Sequence, residues 1–255
     1  MLYISPPFGN WLRYKNAIRI RGTFTWNRRP GLIYHTLRSL RPVRVQTGLG
    51  PPTEGWINQI GFRNPGIRSI SSFNLRDIYS ISAIEPDVEW PLLYSYIPDY
   101  VNLELNLSCP NINKDGSPPP GISLPMLEKF LKKFPNLIVK IRPIPWAGME
   151  DMIRIGLKSV HMSNTIATEK GGISGPQLKK INIPLIKKVC DSSDGYSIWE
   201  ADVNIIAGGG IYTKQDVIDY RNAGANDFSI STVWISHPRN VKEIYEEAMW
   251  SEYYG

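Results

Sequence analysis

Eight short apolar runs, separated by segments long enough for helices, recur along this 255-residue chain and limit it to very few folds. The runs lie at 17–26, 43–46, 78–84, 103–107, 137–141, 159–163, 203–207 and 227–231. Parallel strands need crossover connections of about this length, so alternating strands and helices predict a parallel sheet. Eight such units close most economically into a (β/α)8 TIM barrel. No linker or shift of composition interrupts the series, so residues 1–255 are expected to form one domain.

Residues 102–111, NLELNLSCPN, carry the strongest local signal. Leu103, Leu105 and Leu107 alternate with Asn102, Glu104, Asn106 and Ser108, the period of two of a strand with one apolar and one polar face. The polar row ends at Cys109, Pro110 stops the ladder, and Asn111 follows. A one-sided wet strand accounts for the alternation alone. Polar side chains converging on a thiol at the carboxyl end of a barrel strand point instead to a site.

That face of a barrel would also collect Asn58, Lys140, Asn164 and the glycine loops. Lys140 stands mid-strand between Val139 and Ile141 and is expected to point into the barrel mouth, where a buried ammonium needs an anion. Glu104 is one candidate partner. The amides of Asn58, Asn106, Asn111 and Asn164 offer both donors and acceptors to a planar heterocycle. Gly171-Gly172-Ile173-Ser174-Gly175, Gly208-Gly209-Gly210 and Ser231-Thr232 follow the last three strands, where small residues and helix starts suit a phosphate. The stretch from Thr47 to Gly66, rich in Gly and Pro, is expected to be a long loop over the same end.

Lys and Arg number 29 against 23 acidic residues, a net charge of +6 that favours anionic ligands. The basic cluster between Arg13 and Arg44 lacks the aromatic interleaving of a nucleic-acid platform. Cys109 and Cys190 are the only cysteines and have no partners at metal-ligand spacing, so no metal site is expected. The amino terminus does not have the composition of a secretory signal, and no apolar stretch approaches bilayer length, which together predict a cytoplasmic protein.

The stretches GTFTW, GWINQIGFRNPG, LELNLSCPN, IVKIRP, SNT, GGISGP, IIAGGGI and DFSISTVWI occur in an order that resembles the dihydroorotate dehydrogenase family of FMN-dependent barrels, from Asn16 to Ile235. The resemblance implies FMN across the barrel top, with its phosphate near Gly175, Gly209, Gly210, Ser231 and Thr232. It makes Cys109 the general base of the soluble class, taking a proton from C5 of dihydroorotate as hydride leaves C6 for the flavin. Lys140 corresponds to the lysine that stabilises negative charge on the flavin. Asn58, Gly61, Asn106, Asn111, Asn164 and Thr165 correspond to substrate-binding positions, and Gly22, Gln46, Asn106, Lys140 and Asn164 to positions on the flavin.

Two positions depart from the family. Gln46 stands where the family carries a lysine touching flavin and substrate, and Arg21 stands where a serine is expected before Gly22. Arg21 is expected to turn inward and replace the missing charge. The resemblance implies a homodimer acting on dihydroorotate, with no membrane or nucleic-acid partner. tRNA dihydrouridine synthases are also FMN barrels, but no counterpart of their RNA-binding helical domain is expected after the last helix here. A flavin-binding protein without turnover is the third reading, with Gln46 as its support.

Overall fold

The computed structural model describes residues 1–45, 53–108, 121–142, 149–163, 165–190 and 202–254. The chain opens with β1 (Leu2–Ile4), β2 (Ile18–Phe24), α1 (Leu32–Ser39), β3 (Arg41–Val45) and β4 (Thr53–Asn58). Next come β5 (Asp77–Ile81), α2 (Pro86–Tyr96), β6 (Leu103–Asn106), α3 (Leu124–Lys133), β7 (Ile138–Ile141), α4 (Met149–Arg154) and β8 (Ser159–Met162). The remainder is β9 (Ile166–Thr168), β10 (Gly171–Ser174), α5 (Gln177–Cys190), β11 (Asn204–Gly208), α6 (Lys214–Asn222), β12 (Asp227–Ile230), α7 (Val233–Ser236) and α8 (Val241–Tyr254).

Eight strands close a parallel barrel in the order β1-β12-β11-β8-β7-β6-β5-β2, so the expected (β/α)8 fold is present. Strand alternation sorts its side chains into two layers. Leu103 and Leu105 of β6 join a large outer core with Leu127 and Phe130 of α3, while Ile20, Ile78, Ile138 and Ile206 fill the lower interior with Tyr3. The inward positions nearer the carboxyl ends are polar, and they floor the site described below.

One member of the ring differs from expectation. The run 43–46 was expected to be a barrel strand, but β3 leaves the ring and pairs antiparallel with β4, Val43 opposite Gly55. Its place is taken by β1, which bridges β12 and β2 with Tyr3 opposite both Ser229 and Ile18. The terminal ammonium of Met1 lies 2.6 Å from Asp227 Oδ1 and ties this short strand down.

A second sheet, in the order β3-β4-β10-β9, stands beside the barrel mouth. The expected loop 47–66 therefore contains a strand, and the glycine-rich segment after β8 is partly a hairpin, β9-β10, whose second strand, β10, pairs with β4. Glycine makes that pairing possible: a Cβ at Gly171 would lie 2.4 Å from the Asn58 carbonyl oxygen. Among the described residues, no helix is long and apolar enough to cross a membrane.

Candidate active site

A cleft enclosing about 1120 Å³, part of it open to solvent, lies at the carboxyl ends of the barrel strands and under the second sheet. Its two ends differ in chemistry.

At one end the wall is backbone and hydroxyl. The Gly208 carbonyl accepts from Asn182 Nδ2 at 2.6 Å, and the Gly209 carbonyl accepts from the Tyr220 hydroxyl at 2.6 Å. C=O and N–H point in opposite directions across a trans peptide, so these two bonds turn the N–H groups of Gly209 and Gly210 toward the cleft. Gly209 and Gly210 have φ of 84° and 80°, in the left-handed region that favours glycine. A Cβ at Gly210 would come within 3.0 Å of both the Gly175 carbonyl oxygen and the Lys179 nitrogen. Ser174, Ser231 and Thr232 complete this end. The Thr232 hydroxyl is 2.8 Å from that of Tyr212, whose phenol burial pushes above its ordinary pKa. Directly behind Gly210 begins α5, whose first N–H groups add positive potential.

At the other end the wall is side chain. Lys140 points into the barrel mouth as expected and is only 8% exposed. Asn106 donates through Nδ2 to Thr23 Oγ1 at 2.9 Å, and Thr23 in turn lies 3.1 Å from Ser80 Oγ. Beneath them is a buried pair, Glu104 Oε2 and His161 Nδ1, 2.6 Å apart with both side chains fully enclosed. Burial opposes the charge on Glu104. Lys140 and His161, with hydrogen bonds from His161 and Ser80, outweigh it and hold the carboxyl at about 2. Burial and the nearby Lys140 together depress His161 more than Glu104 raises it, so the imidazole is neutral and donates from Nδ1. The partner expected for Lys140 is therefore present as an electrostatic neighbour, while the hydrogen bond goes to His161.

The comparisons with known proteins agree with this geometry. A family model described as dihydroorotate dehydrogenase matches residues 149–249. The catalytic subunit of dihydroorotate dehydrogenase B (NAD(+)) from Staphylococcus carnosus is 31% identical over 225 residues, covering 76% of this chain and 70% of that protein. The chain belongs to the dihydroorotate dehydrogenase family. A Geobacillus protein of the same description is 29% identical over 211 residues, covering 70% of this chain and 64% of its own length. Ligand-free DHODH from Eimeria tenella superimposes with a TM-score of 0.55 at 17% identity, over 78% of this chain and 70% of that one, which bears on the fold.

Most of the family positions that fall on described residues meet in this one cleft. Gly22, Asn58, Gly61, Asn106, Lys140, Thr165, Gly209, Gly210, Ser231 and Thr232 all line it. Asn58 comes from β4 of the second sheet, where its Nδ2 donates to the Gly172 carbonyl at 3.3 Å. Gly175 packs behind Gly210 and not on the wall itself. Cys109, Asn111, Asn164 and Gln46 lie outside the described residues.

Arg21 does not turn inward. Its neighbour Ile20 faces the barrel interior, so alternation sends Arg21 to the outer layer, where its guanidinium lies 5.4 Å over the Tyr79 ring and 3.8 Å from Asp77 Oδ2. Sequence reasoning also passed over His161, Arg63 and residues 5–8, all part of the site or its floor. A histidine in mid-strand, at the inward phase set by Met162 and Val160 facing out, was the available signal for the first of these.

Proposed function

We propose that this chain binds FMN along the cleft and oxidises dihydroorotate to orotate in pyrimidine biosynthesis, working as a single barrel domain over residues 1–255. The observation that carries the reading is the union, in one cleft, of an uncharged N–H cradle at Gly209 and Gly210 with a buried cation, Lys140, at the other end. The cradle suits a phosphate, because the Gly208 and Gly209 carbonyls are engaged by Asn182 and Tyr220, which turns the following N–H groups to the cleft side. Gly209, Gly210, Ser231 and Thr232 would hold the phosphate, and Gly22, Asn106 and Lys140 the ring. FMN, when bound, supplies the acceptor for the hydride.

The chain's own residues do the remainder. Lys140 offers positive charge where negative charge develops, and its ammonium is kept in place by the Glu104 carboxylate beneath. The Asn106 amide is oriented on both edges, its Nδ2 donating to Thr23 Oγ1 at 2.9 Å and its Oδ1 accepting from the Ser108 nitrogen at 3.4 Å, which fixes the plane it presents to the cleft. Asn58, Gly61, Asn111, Asn164 and Thr165 hold the substrate, and Cys109 takes its proton as general base. The working form in this reading is a cytoplasmic homodimer.

Anaerobic addition of dihydroorotate to the FMN-loaded protein tests the reading. Bleaching of the flavin absorbance is expected, slowed about 10²-fold in Cys109→Ala with FMN content unchanged. Flavin that dithionite bleaches and dihydroorotate does not would contradict the reaction. It would favour flavin binding without this turnover, the reading that the neutral Gln46 supports.

A further inference from the structure

Among the described residues lining the cleft, the charged ones are Lys140 and Arg63, both cations, and no carboxylate is part of the lining. Their surroundings differ. Lys140 lies deep over Glu104, whose anion already balances it. Arg63 sits at the lip, half-buried, with no acid within ion-pair distance among the described residues; its one polar contact is Nη1 to the Pro30 carbonyl at 3.5 Å.

The backbone around Arg63 is fixed on both sides. Gly61 and Phe62 have φ of 55° and 53°, a tight left-handed reversal closed by the Arg63 nitrogen donating to the Ile60 carbonyl at 3.3 Å. On the other side, Asn64 is 3% exposed and spends its amide entirely on the loop. Its Oδ1 accepts from the Thr25 and Gly66 nitrogens at 3.2 and 2.7 Å, and its Nδ2 donates to the Phe62 carbonyl at 2.6 Å. Reciprocal backbone bonds of 2.9 and 2.7 Å then join Asn64 to Arg29. A guanidinium carried on so fixed a backbone, with no acid beside it among the described residues, is placed to meet an anion entering the cleft.

We propose that Arg63 is the substrate-carboxylate anchor of this protein, selecting a carboxylated ring over its neutral analogue. The proposal rests on the reading above and deepens it. The planar fork of arginine matches a carboxylate with two parallel hydrogen bonds, which a neutral glutamine at position 46 does not replace. Lys140 is left to the ring and Arg63 takes the carboxylate.

Orotate titrated into FMN-loaded protein, read by perturbation of the flavin spectrum, tests it. Arg63→Ala should weaken orotate roughly 10-fold to 100-fold, the range for a lost charged hydrogen-bonding partner. Arg63→Lys should recover part of the loss, and FMN affinity should not change. Dihydroorotate oxidation should show a raised KM with little change in kcat. Orotate affinity within about twofold of wild type in Arg63→Ala would overturn the assignment. If wild type ignores orotate, the dihydroorotate reading fails, and Arg63 is judged by ligand-induced melting shifts with benzoate and nicotinate against benzamide and nicotinamide. A carboxylate preference abolished by Arg63→Ala supports the anchor, and no preference overturns it.

Discussion

The two ends of the cleft solve the same problem, holding an anionic or electron-rich group, by different means. At Gly209 and Gly210 the donors are peptide N–H groups aimed by Asn182 and Tyr220, and no charged side chain is buried to make them. At Lys140 the donor is an ammonium inside the barrel, which requires an anion below it, and that anion requires His161 and Ser80. A backbone cradle asks only for small residues in the right turn. A buried cation brings a whole ionic floor with it, so substitutions at the two ends should differ in kind and in size.

The largest effect is expected from Glu104→Gln. Removing one partner of a buried ionic cluster leaves the others unbalanced, at a typical cost of about 3–5 kcal/mol, readable in urea unfolding. A loss below about 1 kcal/mol would show that the floor behaves like a surface ion pair and would break the contrast between the ends.

The same floor gives a pH signature. Glu104 drops from an ordinary 4.5 to about 2, so its contribution is complete above pH 4.5 and is lost as pH falls toward 2, on the order of 3 kcal/mol. His161 is also depressed, from 6.5, so the unfolded chain takes up a proton first and stability begins to fall below about pH 6.5. Both slopes have the same sign. In His161→Gln the decline between pH 6.5 and 4.5 should shrink, which unfolding midpoints across that range would measure.

At the cradle end smaller losses are expected, and they should appear in cofactor affinity. Gly210→Val forces a β-branched residue to φ near 80° against backbone atoms, a strain of about 1–3 kcal/mol. Fluorescence titration should show FMN weakened tenfold or more. Thr232→Val removes one neutral hydroxyl and should cost only about 0.5–1.5 kcal/mol in the same titration. An effect of Thr232→Val equal to that of Gly210→Val would mean that hydroxyls, and not the peptide cradle, dominate this end.

The contrast also explains what was legible in the sequence. The cradle could be read because glycines after a strand have few other uses, and Lys140 because a lysine flanked by Val139 and Ile141 has a definite phase. Membership of the ring was harder. β1 is three residues long and has no periodicity to detect, while Val43 and its neighbours form a good strand whose partner, β4, only the folded chain supplies. The Glu104–His161 pair joins residues 57 apart in the chain, so neither announces the other. Arg21 was misplaced for a simpler reason: the inward phase of β2 falls on Ile20, and a departure from a family pattern says nothing about which way a side chain points.

The most direct test of the two-ended cleft is a paired titration of the apoprotein with FMN and with riboflavin, which carries the same ring without the phosphate. Saturable quenching by FMN is expected, with riboflavin weaker by about 10²-fold, since charge-assisted hydrogen bonds to the cradle contribute about 1.5–3 kcal/mol each. Equal affinities for the two, or no binding of FMN, would contradict the account.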